Sequence, residues 1–160
     1  LDNAIKLTQI LNKIGINTYL NIIGLKNEKQ VNDKKILFSG FIDKNIKDGE
    51  KKIANYLKKS HFHLLFSESE AYGISLIEAN SLAVPNIIYN VGGMSHIVKN
   101  NISGLVFRKD SKLNYIAIQI KKILFNKSLY KKLSLSSYIR FKKKFDYNVI
   151  INKFIKLLDK

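Results

Sequence analysis

Apolar side chains recur at Leu1, Ile5, Leu7, Leu11 and Ile14 with close to helical spacing, and Gly15 then closes the segment. Short apolar runs at residues 18–23 and 36–41 read as buried strands. Gly24 ends the first, Gly40 puts a bend in the second, and a polar loop joins the two. Residues 50–59 carry Ile53, Ala54 and Leu57 on one helical face. A third strand is expected over 61–66 and a helix over 74–82, which Pro85 prevents from continuing. A fourth strand follows over 86–90, a Val91-Gly92-Gly93 loop, a short helix over 94–99 and a turn over 100–104. Residues 105–107 form the fifth strand, and helices at 111–125, 128–143 and 147–158 close the chain. Strands that alternate with helices predict an α/β fold, a parallel sheet with helices on both faces. No linker, second domain or internal repeat interrupts the pattern.

Length sharpens this picture. The 160 residues suffice for one domain with a real core. The absence of Cys excludes disulfides, thiolate metal sites and Cys nucleophiles, and suits a reducing, cytoplasmic setting. His61, His63 and His96 lack the spacing of metal ligands, so no metal is expected. The N-terminus reads as an amphipathic helix entered partway, without an initiator Met or a secretory leader, which predicts a piece of a longer protein. No apolar run has the length to cross a bilayer.

The net charge of +16 is large and admits three readings. One is the Lys, Asn and Ile bias of an A/T-rich genome. Another is attraction to anionic lipid head groups, and so a peripheral contact with an anionic membrane, or to phosphorylated substrates. Nucleic acid is disfavoured as a partner, because the Lys residues are spread over every helix rather than drawn into an aromatic-bearing stripe.

The densest chemistry lies in Ser67-Glu68-Ser69-Glu70-Ala71-Tyr72-Gly73-Ile74-Ser75-Leu76-Ile77-Glu78-Ala79. Glu70 follows a buried strand, and Glu78 lies about one turn inside the next helix, among apolar neighbours. Gly73 stands between the two acids, where the backbone turns sharply or approaches something closely. Open α/β sheets bind ligands at that carboxyl edge. A helix N-terminus there offers N–H groups to a phosphate, and flanking carboxylates accept hydrogen bonds from sugar or ribose hydroxyls. Gly92 and Gly93 follow the next strand at the same edge, and Gly24 and Gly40 repeat the arrangement earlier. The chain has no GxSxG elbow, Walker loop or GxGxxG fingerprint. Tyr138 and Lys142 match a Tyr-x-x-x-Lys spacing but read as surface residues. His63 reads as a satisfied packing residue, and Asn101-Ile102-Ser103 as a sequon without a secretion context.

The segment 62–107 resembles the donor-binding half of the family 4 retaining glycosyltransferases (glycosyl transferases group 1). The family's order is Glu, seven residues, Glu-Ala, a small-residue helix, a Pro, a strand, a Gly-Gly loop, an Asn-x-x-Gly-like turn and a strand. Here it reads EAYGISLIEANSLAVPNIIYNVGGMSHIVKNNISGLVF. A weaker resemblance covers residues 1–60, and the C-terminal helices are similar to that family's as well.

The resemblance implies a Rossmann-like domain, the C-terminal half of a GT-B fold, with the N-terminal acceptor domain outside residues 1–160. It implies a nucleoside-diphosphate sugar as donor, a glycan or lipid-linked acceptor, transfer with retention, no cofactor or bound metal, and a place in cell-surface polysaccharide biosynthesis. By position, Glu78 would hold the ribose hydroxyls, and Glu70 would contact the transferred sugar as the catalytic residue. The backbone of Tyr72, Gly73, Ile74 and Ser75 would meet the diphosphate, and Gly40 and Phe41 would lie near the nucleobase. The chain departs from the family at His96, where an acid is usual, and at Ala83, where glycine is usual. The family's basic diphosphate clamp would lie upstream of Leu1, so residues 1–160 alone are expected to be inactive. Alternatives are a non-catalytic nucleotide- or phosphate-binding module and a basic membrane-surface domain.

Overall fold

The computed structural model describes residues 1–27 and 31–158; residues 28–30 of the expected polar loop and residues 159–160 lie outside the described residues. In chain order the elements are α1 (Asp2–Lys13), β1 (Leu20–Ile23), β2 (Ile36–Gly40), α2 (Gly49–Lys58), β3 (His63–Leu65), α3 (Ile74–Ser81), β4 (Asn86–Tyr89), α4 (Met94–Ile97), β5 (Gly104–Phe107), α5 (Leu113–Leu124), α6 (Lys127–Lys144) and α7 (Tyr147–Leu158). The expected alternation is present, with β1 to β4 trimmed by one or two residues at their ends and β5 begun one residue earlier, at Gly104. All strand pairing is parallel, and helices flank it. The pairing falls in two ladders, β1–β2 and β3–β4–β5, where the alternation suggested one sheet. Alternation fixes strand direction but not the choice of neighbours. The chain packs into two compact units, residues 1–59 with 110–126, and residues 60–109 with 127 onward.

In the first unit, Leu20, Asn21 and Ile22 lie opposite Ile36, Leu37 and Phe38, and a register shift then sets Ile23 opposite Gly40. Ile5, Ile22 and Ile36 form a buried cluster, with Leu20, Val31 and Phe38 packed against it. The buried stripe Ile5, Leu7, Thr8 and Leu11 belongs to α1, and Ile116, Ala117, Ile120 and Ile123 to α5; the two helices pack together. Asn12 fastens the end of α1 to the segment that leads into β1. Its amide nitrogen donates to the Thr8 and Thr18 carbonyls, both at 2.9 Å, and its oxygen accepts the Thr18 N–H at 3.2 Å.

In the second unit β4 runs between β3 and β5, and all four of its residues are buried. Its Ile87 and Ile88 have no exposed surface, as expected of a strand covered on both faces. Leu76, Ile88, Met94, Ile97 and Val98 form the core, with Leu65, Ile77, Val91, Val106 and Phe145 around it. Burying five such side chains contributes on the order of 10 kcal/mol before the entropy of ordering them is subtracted. Gly104 fixes the approach of β5, because a Cβ there would lie 2.1 Å from the Asn86 carbonyl oxygen. Helix α6 packs along α3. Its Ser134 Oγ donates to the Ala83 carbonyl at 2.7 Å, and its Tyr130 hydroxyl to the His61 carbonyl at 3.1 Å.

The departure at Ala83 has a structural reading. Helix α3 ends in a Schellman motif: Val84 N–H donates to Ala79 O at 3.0 Å and Ala83 N–H to Asn80 O at 3.1 Å. The motif places Ala83 in the left-handed region, φ +60°, where an L side chain is strained by about 1–2 kcal/mol. Glycine would remove that strain while adding freedom to the unfolded chain, which costs about 0.4–1 kcal/mol. Ala83→Gly is therefore expected to stabilise the protein by roughly 0.5–1 kcal/mol. Thermal denaturation should show a midpoint raised by about 1–4 °C; a lowered midpoint would contradict the assignment of strain.

Candidate functional site

The carboxyl end of β3 opens into the loop 66–73, and Gly73 passes the chain into α3. Gly73 is the N-cap, with φ +80° and ψ +65°. It is glycine for two reasons: the conformation is left-handed, and a Cβ would come within 2.9 Å of Leu76 Cδ1. The first turn of α3 holds no acidic residue and no side-chain cap. Its leading N–H groups therefore point out of the helix without an intrahelical acceptor, at the positive end of the helix dipole. Ile74, 68% exposed, and Tyr72, 46% exposed, stand beside this opening, with Ser75 half-buried next to them.

The Gly92-Gly93 loop forms the adjoining wall, and its glycines have a use that the sequence did not disclose. A Cβ on Gly92 would lie 1.8 Å from the Glu70 carbonyl oxygen, and one on Gly93 would lie 2.6 Å from that of Ala71. Gly93 N–H donates to the Ala71 carbonyl at 3.2 Å. The close approach is between two protein loops, so Gly92 and Gly93 set the position of Glu70, Ala71 and Tyr72. The structure thereby brings five of the expected site residues into one constellation: Glu70, Tyr72, Gly73, Gly92 and Gly93.

Glu70 is half-buried in that loop. Glu78 is also half-buried, on α3, and its negative charge reaches His63. Gly40 and Phe41 belong to the first unit. Gly40 has φ +65° and its carbonyl accepts the Gly24 N–H at 2.8 Å, while the Phe41 side chain is 79% exposed. Glu68 forms an exposed pair with Lys109 at 3.7 Å, of little energetic weight. Tyr138 is 39% exposed and Lys142 pairs with Asp146, in keeping with their reading as surface residues.

Two features escaped the sequence. Phe66 and Tyr89, just past β3 and at the end of β4, stack with ring centroids 4.4 Å apart. A polar chain begins at the opposite, amino ends of the same two strands. His63 and Asn86 are register partners on β3 and β4, and His63 Nδ1 lies 2.8 Å from Asn86 Oδ1. The Asn86 amide nitrogen donates to Leu76 O at 3.1 Å and to Asn80 Oδ1 at 2.8 Å. Asn86 therefore presents an acceptor to the ring, which assigns the proton of the neutral imidazole to Nδ1. Asn80 and Asn86 are fully buried, and Asn80 Nδ2 has no partner among the described residues. Burial pushes the His63 pKa below its ordinary value, against the opposing pull of the Asn86 hydrogen bond and the Glu78 charge. Polar residues in an apolar run were the available signal, but register alone shows that they meet.

The profile of the family described as "Glycosyl transferases group 1" matches residues 1–140, and the chain belongs to that family. No curated protein matches the sequence. Among solved structures, TarM superposes with a TM-score of 0.78 at 17% identity, over 99% of this chain and 32% of its own. WaaG, a glycosyltransferase involved in lipopolysaccharide biosynthesis, gives 0.76 at 16% identity, over 92% and 40%. Anabaena HepE in complex with UDP-glucose gives 0.73 at 14% identity, over 96% and 44%. At such identities the likeness is one of fold, and it agrees with the α/β class expected from the sequence. The chain spans less than half the length of each of these structures.

The depressed His63 pKa makes stability depend on pH. A lowered folded-state pKa means that the unfolded chain binds the proton more readily, so the contribution is complete above the ordinary His range and is lost as pH falls through the folded value. Between about pH 7.5 and about pH 5.5 the melting temperature should fall with acidification. His63→Gln should flatten that dependence. An equal slope in the variant would assign the effect elsewhere.

Proposed function

We propose that this chain is the donor-binding, C-terminal domain of a retaining glycosyltransferase whose donor is a nucleoside-diphosphate sugar. One observation carries the reading: an uncapped helix N-terminus, entered through left-handed Gly73, opens past the carboxyl end of β3 beside the loop of half-buried Glu70 and is walled by a glycine loop. The N–H groups and dipole end suit a diphosphate. The Glu70 and Glu78 carboxylates suit the hydroxyls of a sugar and a ribose. HepE, similar in fold, is described with UDP-glucose bound, which supports this donor class.

In this reading the backbone of Tyr72, Gly73, Ile74 and Ser75 receives the diphosphate. Glu78 accepts hydrogen bonds from the ribose. Glu70 accepts them from the transferred sugar, and its charge offsets the positive charge that develops at the anomeric carbon. The bond from that carbon to the diphosphate oxygen breaks, and its electron pair leaves with the diphosphate. The acceptor hydroxyl oxygen bonds to the same face of the carbon and gives up its proton to the departing diphosphate oxygen. The assignment of Gly40 and Phe41 to the nucleobase rests on the family resemblance alone. A glycan or lipid-linked acceptor in cell-surface polysaccharide synthesis accords with the involvement of WaaG, similar in fold, in lipopolysaccharide biosynthesis. The net charge of +16 supports peripheral contact with an anionic membrane. No helix among the described residues is long and apolar enough to cross one.

Two substitutions in the full-length protein separate the acids. Glu78→Ala removes charge-assisted hydrogen bonds worth about 1.5–3 kcal/mol, so calorimetry should show donor affinity weakened by roughly 10- to 100-fold. An unchanged dissociation constant would remove Glu78 from the site. Glu70→Gln should lower kcat by about 100-fold or more while donor binding changes little. Full turnover in that variant would end its catalytic assignment.

A further inference from the structure

We propose that Arg140 is a positioning residue for the donor site, acting from α6 through α4 on the loop that carries Glu70. The functional part of this inference rests on the reading above; the clamp itself does not. Arg140 Nε donates to the Ile97 carbonyl at 2.6 Å, and a terminal guanidinium nitrogen donates to the His96 carbonyl. These are the last carbonyls of a four-residue helix, α4, which cannot satisfy them itself. Ile97 is fully buried, so water is a poor substitute there. The guanidinium also stands over the Phe145 ring, 5.6 Å from its centroid, and Phe145 packs against the core cluster that holds Met94 and Ile97.

The other end of α4 begins at Gly93, whose N–H holds the Ala71 carbonyl. Arg140, α4, Gly93 and the Glu70–Ala71 peptide thus form one continuous linkage. A shift of α4 moves Gly92 and Gly93, and no slack exists between Gly92 and the Glu70 carbonyl. The residue type is informative by itself. Of 28 basic residues in the chain, only Arg108 and Arg140 are arginines. A planar fork reaches two adjacent carbonyls with fixed geometry, which a single ammonium on a flexible stem does not. Partial burial draws the guanidinium pKa below its ordinary value, yet the group stays charged. His96 takes part only through its backbone, so the departure from the family's acid leaves the linkage intact.

The test uses the full-length protein as wild type, R140A and R140K. Hydrogen exchange read by mass spectrometry should show exchange over residues 91–98 and 70–73 accelerated about tenfold or more in R140A, with β4 still protected. R140K should fall between the two. Wild-type exchange in R140A would overturn the clamp. Equal loss of protection throughout the second unit, β4 included, would reduce Arg140 to general stability and overturn the proposal as well. A panel of nucleoside-diphosphate sugars that includes UDP-glucose supplies the second readout, used with whichever member binds the wild type. R140A should lose about tenfold or more in kcat, with donor affinity changed far less, and added methylguanidinium should restore part of it. Unaltered kcat alongside local loss of protection would overturn the positioning role. If the wild type binds no member of the panel, the reading of the site fails, while local loss of protection in R140A would still support the clamp.

Discussion

The second unit depends on a steric constraint between two loops. The peptides of Glu70–Ala71 and Gly92–Gly93 approach so closely that no side chain fits between them, and one hydrogen bond from Gly93 to Ala71 joins them. This contact converts two strand-following loops, each free to wander by itself, into one surface. Its cost is paid in residue choice, since Gly73 and Gly92 both adopt left-handed backbone that other residues resist. The core beneath holds the contact in place. Met94 and Ile97 anchor α4, and Leu76 anchors α3 beside Gly73.

Much of the fold was legible in the chain. The apolar runs that became β3, β4 and β5 stand out, β4 above all because a strand covered on both faces needs continuous apolar residues, and Pro85 and the glycines punctuate them. What the chain withheld was pairing. Nothing in the residues states that β1–β2 and β3–β4–β5 form separate ladders, because hydrogen-bonded neighbours are a property of three-dimensional register. Strand ends were overestimated for a related reason. Apolar character at His61–Phe62 continues past the last ladder bond, and there the side chains meet Tyr130 of α6 instead of a strand.

The candidate site shows the same division. Glu70, Gly73 and Glu78 announce themselves through an unusual juxtaposition of acids, a glycine and apolar neighbours. Gly92 and Gly93 were legible as a close approach, and the partner that the structure shows there is the backbone of Glu70 and Ala71. The His63–Asn86–Asn80 chain was invisible, since each residue looks ordinary until register aligns it. Arg140 was hidden for another reason: among so many lysines one of two arginines reads as composition, and its meaning comes from the carbonyls that it meets. Ala83 lies between these cases. The residue itself departs from the family pattern, and only its left-handed φ gives the departure an energetic sense.

Helix α6 is gripped at three places along its length. Tyr130, Ser134 and Arg140 each donate to a backbone carbonyl of a different segment, at His61, Ala83 and His96–Ile97. Buried Leu133 and Ser137 lie on the same side of the helix. The helix therefore works as a splint whose grips are spaced along a single rod. A residue inserted or deleted between Ser134 and Arg140 would rotate everything beyond it by about 100° and release one grip while the others held. Length variation should thus be barred from the middle of α6, while the exposed stretch Arg108–Lys109–Asp110 could absorb it.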